Sequence, residues 1–151
     1  MSRCTKVMSC SPEAVFDVLS DGWTYATWVV GAARIRRVDE GFPEPGAAVH
    51  HSVGAWPLLL SDVTEVEHVD PPHEIVLRAK TWPAGEALVR VSCQGSDGRT
   101  EVELEEYAVA GPAALVPRPV ESLLLRARNQ ETLRRLAYLA ESGARSRTDA
   151  G

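Results

Sequence analysis

The chain has 151 residues, of which 44% are hydrophobic and 25% are charged, a usage typical of one globular domain rather than of a disordered chain. Its formal net charge of −5 argues against a nucleic-acid-binding protein, because such proteins need a basic face to neutralise phosphates. No apolar segment follows the basic residues near the N-terminus, and no stretch approaches the ~20 apolar residues of a membrane span, so we expect a cytoplasmic protein with no stable membrane insertion.

Near the N-terminus, residues 3–8 predict a short strand, and Ser11-Pro12-Glu13 predicts the start of a helix. Serine caps free N–H groups, proline suits the first helical position, and glutamate meets the positive end of the helix dipole. Asp21-Gly22 ends this helix, and a second short helix is expected at about 23–29. Two helices this short are expected to cap the rest of the domain.

From residue 32 onward the pattern changes to alternating segments separated by turn residues. Strands are expected at about 34–39, 47–54, 58–69, 74–82, 86–94 and 100–109. Ser96-Asp97-Gly98 is the clearest hairpin signal, because it places an Asp-Gly turn between two alternating segments. Strands this close in sequence pair antiparallel, since a parallel crossover needs a dozen or more residues.

A long C-terminal helix is expected from about Pro119 to Glu141, and it would span about 34 Å. It would complete a single domain at 1–142, followed by a small, polar and flexible tail at 143–151. We predict an α+β fold in which a curved antiparallel β-sheet wraps around this helix, with two short helices after the first strand. Such a sheet leaves a pocket, and we expect one cavity of more than about 300 Å³ between the sheet and the helix.

The segment Ser11-Pro12-Glu13-Ala14-Val15-Phe16-Asp17-Val18-Leu19, followed by Tyr25 and Trp28, resembles the N-terminal signature of the START-related superfamily. This is the polyketide cyclase/dehydrase and lipid-transfer group, also called SRPBCC-type, with the helix-grip fold. The turn Asp70-Pro71-Pro72, the segment that follows it and the closing helix are similar as well. The resemblance implies a ligand carrier, a cyclase, a dehydratase or a regulator of a partner protein. The superfamily has no universal catalytic motif, so no catalytic residue is carried over.

Glu106 lies where the alternation of the last strand admits two interpretations. Val102 and Leu104 share the apolar face, and regular continuation places Glu106 inside and Tyr107 outside. A carboxylate there is costly unless it is paired, and it would be a cavity residue. Alternatively, a β-bulge between Glu105 and Glu106 returns both carboxylates to water and turns Tyr107 inward.

Two further polar side chains fall on predicted apolar faces. His51 shares a strand face with Val49 and Val53, where it would either be hydrogen-bonded to a neighbour or move protons near neutral pH. Asn129 lies four residues after Leu125 on the inner face of the long helix, where its amide would bond either to the sheet or to a ligand.

Large aromatic side chains cluster in the helical cap and at strand or loop ends. They would form either core packing or a pocket mouth suited to flat apolar ligands. The candidate ligand-binding residues are Tyr25, Trp28, His51, Trp56, Trp82, Glu106 and Asn129.

Metal and cofactor sites are not indicated by the sequence. The odd number of cysteines, three, without framework spacing predicts reduced thiols. The adjacent pair His50-His51 would point to opposite faces of a strand and could not share a metal ion. We therefore expect no metal and no cofactor.

The preferred function is binding of a small, largely hydrophobic molecule in the internal cavity, for storage, transfer or sensing. The alternative is an enzyme of the cyclase or dehydratase type, in which a cavity histidine or carboxylate transfers protons. A third function is regulation of a partner protein. The sequence is compatible with a homodimer and does not identify the ligand.

Overall fold

The computed structural model of the protein describes residues 2–55, 58–81, 85–115 and 117–150. The strands are β1 (Ser2–Met8), β2 (Ala32–Val38), β3 (Ala48–Ala55), β4 (Leu58–Asp70), β5 (Glu74–Thr81), β6 (Gly85–Ser96) and β7 (Arg99–Ala110). The helices are α1 (Pro12–Leu19), α2 (Tyr25–Trp28) and α3 (Arg118–Ala150), with short 3₁₀ turns at Gly22–Thr24 and Pro112–Leu115. Among the described residues, none of these helices combines the length and apolar character needed to cross a bilayer.

The strands form one antiparallel sheet in the order β1-β7-β6-β5-β4-β3-β2. The helix-grip prediction is confirmed, because the seven-stranded sheet holds a long C-terminal helix and the short helices follow the first strand.

Capping and turn residues explain where two of these elements begin and end. The Ser11 hydroxyl accepts from the N–H of Ala14 at 3.2 Å, and Asp97 and Gly98 take φ angles of 52° and 75° in the β6–β7 hairpin.

The core lies between the inner face of the sheet and one side of α3. Leu133, Leu136 and Ala140 of α3 are buried and belong to the same hydrophobic cluster as Val91 and Leu104 of the sheet. This places the inner face of α3 where the sequence predicts it. It also places Asn129, one turn before Leu133, on that buried face.

Helix α3 continues to Ala150, so the predicted end at Glu141 is wrong. One glycine, Gly143, costs a helix only about 1 kcal/mol, and the residues after it include good helix formers. Arg147 in this last part of the helix also forms an ion pair with Asp17 of α1. The segment that we expected to be a tail is therefore helical up to Ala150, and its flexibility stays a prediction.

Candidate functional site

A cavity of about 140 Å³ lies between the sheet and α3, with α2 at one end. Its walls come from β3 to β7, from α2 and the residues after it, and from α3. The predicted location agrees with the structure, but the space that the described residues line is smaller than the predicted volume of more than about 300 Å³. Leu77, Val89 and Leu104, from three adjacent strands, line this space with large apolar side chains.

Five of the seven candidate residues line this one cavity: Tyr25, Trp28, His51, Glu106 and Asn129. Trp56 and Trp82 lie outside the described residues. The five come from four separate elements, so their convergence is a product of the fold rather than of local sequence. Their role in binding a ligand stays a prediction.

Tyr25, Thr64 and His51 form a hydrogen-bonded chain on one wall of the site. The Tyr25 hydroxyl lies 3.0 Å from Thr64 Oγ1, which lies 2.9 Å from His51 Nε2. The Tyr25 and His51 rings also contact each other, with centroids 5.0 Å apart. All three side chains are buried. Thr64 therefore connects a phenol and an imidazole, which are groups able to donate or accept protons at a bound molecule.

Sequence reasoning did not single out Thr64 or its neighbour Asp62, although strand parity contains the signal. Asp62, Thr64 and Val66 alternate along β4 and are all buried. Asp62 also lines the cavity. Applying to β4 the test that identified His51 in β3 would have placed both polar residues on the inner face.

Burial keeps both ring groups of the chain neutral at pH 7. It lowers the pKa of His51 to about 4, and the nearby charge of Arg36 lowers that pKa further. Burial likewise raises the pKa of Tyr25 to about 12, although the hydrogen bond with Thr64 opposes this shift. At neutral pH the site therefore presents a neutral imidazole and a protonated phenol.

This pKa of His51 predicts a loss of stability in acid. The unfolded chain protonates His51 near pH 6.5 while the folded protein resists protonation down to about pH 4, so stability falls as the pH drops between these values. The loss should reach roughly 2–3 kcal/mol, and His51→Gln should remove most of it. Urea unfolding at pH 7 and at pH 4.5 measures the effect.

His73 provides the matched control for this measurement, because its side chain is exposed. His73→Gln should leave the pH dependence of unfolding as it is in the wild type. An equal flattening in both variants would contradict the assignment of the acid sensitivity to His51.

Glu106 is a buried carboxylate at the cavity, so the interpretation with a β-bulge is wrong. Pairing runs without a register shift from Glu105 to Tyr107, and Glu106 is 5% exposed while Tyr107 is 38% exposed. Both oxygens of Glu106 accept from the guanidinium of Arg128 on α3. The Arg128 side chain is 40% exposed, so it reaches from the cavity wall to solvent. Nothing in the local sequence pairs these two residues, which are 22 positions apart.

Three buried polar atoms on the cavity residues lack a hydrogen-bond partner within the described part of the chain. They are Trp28 Nε1, His51 Nδ1 and Asn129 Nδ2. Trp28 and Asn129 are 3% and 2% exposed. Leaving such an atom unsatisfied costs about 1–3 kcal/mol, so in a native protein it is usually satisfied by an ordered water, an ion or a bound molecule.

The histidine, cysteine and acidic side chains of the described ranges do not form a metal site. No cluster of three or more His, Cys, Asp or Glu side chains there is arranged to hold a metal ion. Cys4, Cys10 and Cys93 are buried free thiols. His50 faces away from the cavity, and its Nε2 lies 3.0 Å from the Asp39 carboxylate.

Residues 3–141 match the family described as polyketide cyclase/dehydrase and lipid transport. A search of curated proteins finds no match. Among solved structures, protein CV1439 of Chromobacterium violaceum is 18% identical, with 92% of this chain and 96% of that chain covered and a TM-score of 0.67. The structure of Ara h 8.0201 is 11% identical, with 93% of this chain and 96% of that chain covered and a TM-score of 0.70.

A third similar structure is the di-domain ARO/CYC BexL from the BE-7585A biosynthetic pathway. It is 15% identical with a TM-score of 0.64, and the alignment covers 94% of this chain but 49% of BexL. This chain thus spans about half the length of that protein. At such identities these likenesses establish a common fold and nothing finer.

Proposed function

Because the chain belongs to the polyketide cyclase/dehydrase and lipid transport family, we propose that it binds a small, largely apolar molecule in the cavity between the sheet and α3. The observation that supports this proposal is the set of buried polar atoms on Trp28, His51 and Asn129, all on residues that line one cavity. Apolar walls with a few convergent polar groups are the usual composition of a small-molecule site.

Apolar contact in the cavity comes from β5, β6 and β7. Leu77, Val89 and Leu104 line it together with the small residues Ala79 and Ala87, which are cross-strand neighbours. Burial of apolar ligand surface against these side chains would contribute about 25 cal/mol per Å². The polar atoms would then orient the ligand rather than supply most of the affinity.

Native mass spectrometry of freshly purified protein tests the proposal. Wild-type protein should carry a small molecule that dissociates on activation. Ala87→Leu should lose it, because the larger side chain fills the cavity. Ala127→Leu is the matched control, since Ala127 is exposed on α3. A wild-type protein that carries no molecule and gains none from a cell extract would contradict the proposal.

A second function, proton-transfer catalysis of the cyclase or dehydratase type, is favoured by the Tyr25–Thr64–His51 chain. A neutral His51 can accept a proton from a carbon next to a ketone, and a protonated Tyr25 can donate one to an oxygen. BexL, a di-domain ARO/CYC from the BE-7585A biosynthetic pathway, has the same fold. A carrier would bind a β-ketone model compound unchanged, whereas an enzyme would convert it and lose turnover, but not binding, in His51→Gln.

Tryptophan fluorescence distinguishes occupation of this cavity from binding elsewhere. Trp28 lines the cavity, whereas Trp23 is 61% exposed and does not. Energy transfer from tryptophan to a small apolar fluorescent probe should fall strongly in Trp28→Phe and little in Trp23→Phe, because transfer efficiency decreases steeply with distance. Equal losses in the two variants would place the probe outside the cavity.

A further inference from the structure

The two donors at the cavity define what a ligand must offer them. Trp28 Nε1 only donates, and the Asn129 amide nitrogen carries two donor hydrogens. Both atoms are buried, and neither has a partner within the described residues. Each can therefore be satisfied by an acceptor atom on the molecule that occupies the cavity.

A hydrogen bond joins the segment that follows α2 to α3, close in sequence to both donor residues. The backbone N–H of Val30 donates to Thr132 Oγ1 at 3.3 Å. Val30 follows Trp28 by two residues, and Thr132 follows Asn129 by three, so the bond joins the segments that carry the donors. Val30 and Thr132 themselves line the cavity. An acceptor on the ligand is thus expected near this junction.

The charges around the cavity disfavour an anionic ligand. Arg128 is the cation among the described lining residues, and its guanidinium is already bonded to Glu106. Asp62 adds a second acid to the wall, and His51 is neutral at pH 7. A ligand carboxylate would leave water without gaining a free counter-charge, and that transfer is costly.

The volume of the cavity limits the ligand to about one ring. At 140 Å³ it is close to the roughly 150 Å³ apolar cavity that is known to hold benzene in another protein. A long acyl chain or a fused multi-ring system exceeds this space. Among the described residues, a shift of α2 or of the lining side chains would be needed to admit one.

Resting on the proposed function, we infer that the ligand is a neutral, single-ring compound that presents a carbonyl or hydroxyl oxygen to Trp28 Nε1 and Asn129 Nδ2. The ring occupies the space lined by Leu77, Val89 and Leu104. The oxygen accepts from the two donors at the junction of α2 and α3. Neutrality matches the absence of a spare cation among the described wall residues.

Dissociation constants for four probe compounds test this inference. Acetophenone carries the required oxygen, α-methylstyrene has nearly the same shape without it, benzoate carries a charge, and decanoate is a long chain. Isothermal titration calorimetry or ligand-observed NMR on the full chain should show acetophenone binding about tenfold or more tightly than each of the others, since it alone satisfies the buried donors without a charge or excess length.

Trp28→Phe and Asn129→Leu each remove one donor, and each should reduce the preference for acetophenone over α-methylstyrene to about threefold or less. A readout on the wild type does not depend on these variants folding. Acetophenone should shift the indole N–H resonance of Trp28, and α-methylstyrene should shift it much less. The Trp23 resonance, from an exposed side chain, should move with neither compound.

The outcomes separate this inference from the function on which it rests. Equal binding of acetophenone and α-methylstyrene, or tighter binding of benzoate or decanoate, overturns the inference and leaves a ligand-binding cavity in place. Failure of all four compounds overturns the inference as well. In that case a molecule retained by the wild type and lost from Ala87→Leu in native mass spectrometry would still support ligand binding, whereas its absence would contradict both.

Discussion

Asn129→Leu is expected to leave the free energy of unfolding unchanged or to raise it by up to about 1–3 kcal/mol, while ligand affinity falls about tenfold. The Asn129 side chain is 2% exposed, and its Nδ2 has no partner within the described residues. Leucine of similar size removes an unsatisfied donor and places apolar atoms against the cavity. A ligand that accepts from this amide would lose its bond at the same time. Urea unfolding and calorimetric titration measure the two effects.

Leu136→Ala is the matched control on the same helix, because Leu136 is fully buried and does not line the cavity. It should destabilise the protein by about 2–5 kcal/mol through lost burial and a new void, and it should leave ligand affinity nearly as it is. If Asn129→Leu instead destabilised the protein by 1–3 kcal/mol with unchanged affinity, the amide would have a structural role.

The ion pair between Glu106 and Arg128 should respond asymmetrically to the loss of either partner. Arg128→Met should destabilise the protein by about 2–4 kcal/mol, because it leaves a 5% exposed carboxylate without its counter-charge. Glu106→Gln should cost about 1–2 kcal/mol, since the amide oxygen can still accept from the guanidinium. The Arg128 side chain, 40% exposed, also retains contact with water. Chemical denaturation of the three proteins at pH 7 provides the comparison.

Arg135→Met is the control for this pair. Arg135 lies on the same helix and also bonds a glutamate, Glu131, but on the exposed surface. Surface ion pairs of this kind contribute about 0–1 kcal/mol, so the control should be nearly neutral. Equal effects of Arg128→Met and Arg135→Met would mean that Glu106 is not effectively buried. A larger effect of Glu106→Gln than of Arg128→Met would contradict the asymmetry.

Patterns among residues close together in the sequence predicted much of the fold. Strand alternation, the Ser11 cap and the Asp97-Gly98 turn predicted the elements and their ends to within a few residues, because each depends on neighbours close in the chain. The inner face of α3 followed from its apolar period for the same reason. The end of α3 did not, since a glycine followed by polar residues is compatible with either a tail or a continued helix. In the folded protein Arg147 of this part of the helix contacts Asp17, 130 residues away in sequence.

The residues that face the cavity were only partly decided by the sequence. Strand parity placed His51 inside, and the helical period placed Asn129 inside, because each periodicity is a property of its own backbone. The volume of the cavity could not be predicted from these two periodicities. It depends on the distance between the sheet and α3, which no pattern within one element determines. It also depends on how the side chains of Leu77, Val89 and Leu104 fill that space.

The orientation of Glu106 could not be decided from the sequence and was decided by the tertiary structure. The sequence alone allowed either an inward carboxylate or a bulge that returned it to water. The tertiary structure decided between them, because β7 is paired on both sides, with Ser2 of β1 and Val89 of β6 opposite Glu106, so a bulge would disrupt two ladders at once. Arg128 of α3 lies 22 positions after Glu106 and supplies the counter-charge that offsets the cost of burying the carboxylate. The two side chains come together only in the folded chain.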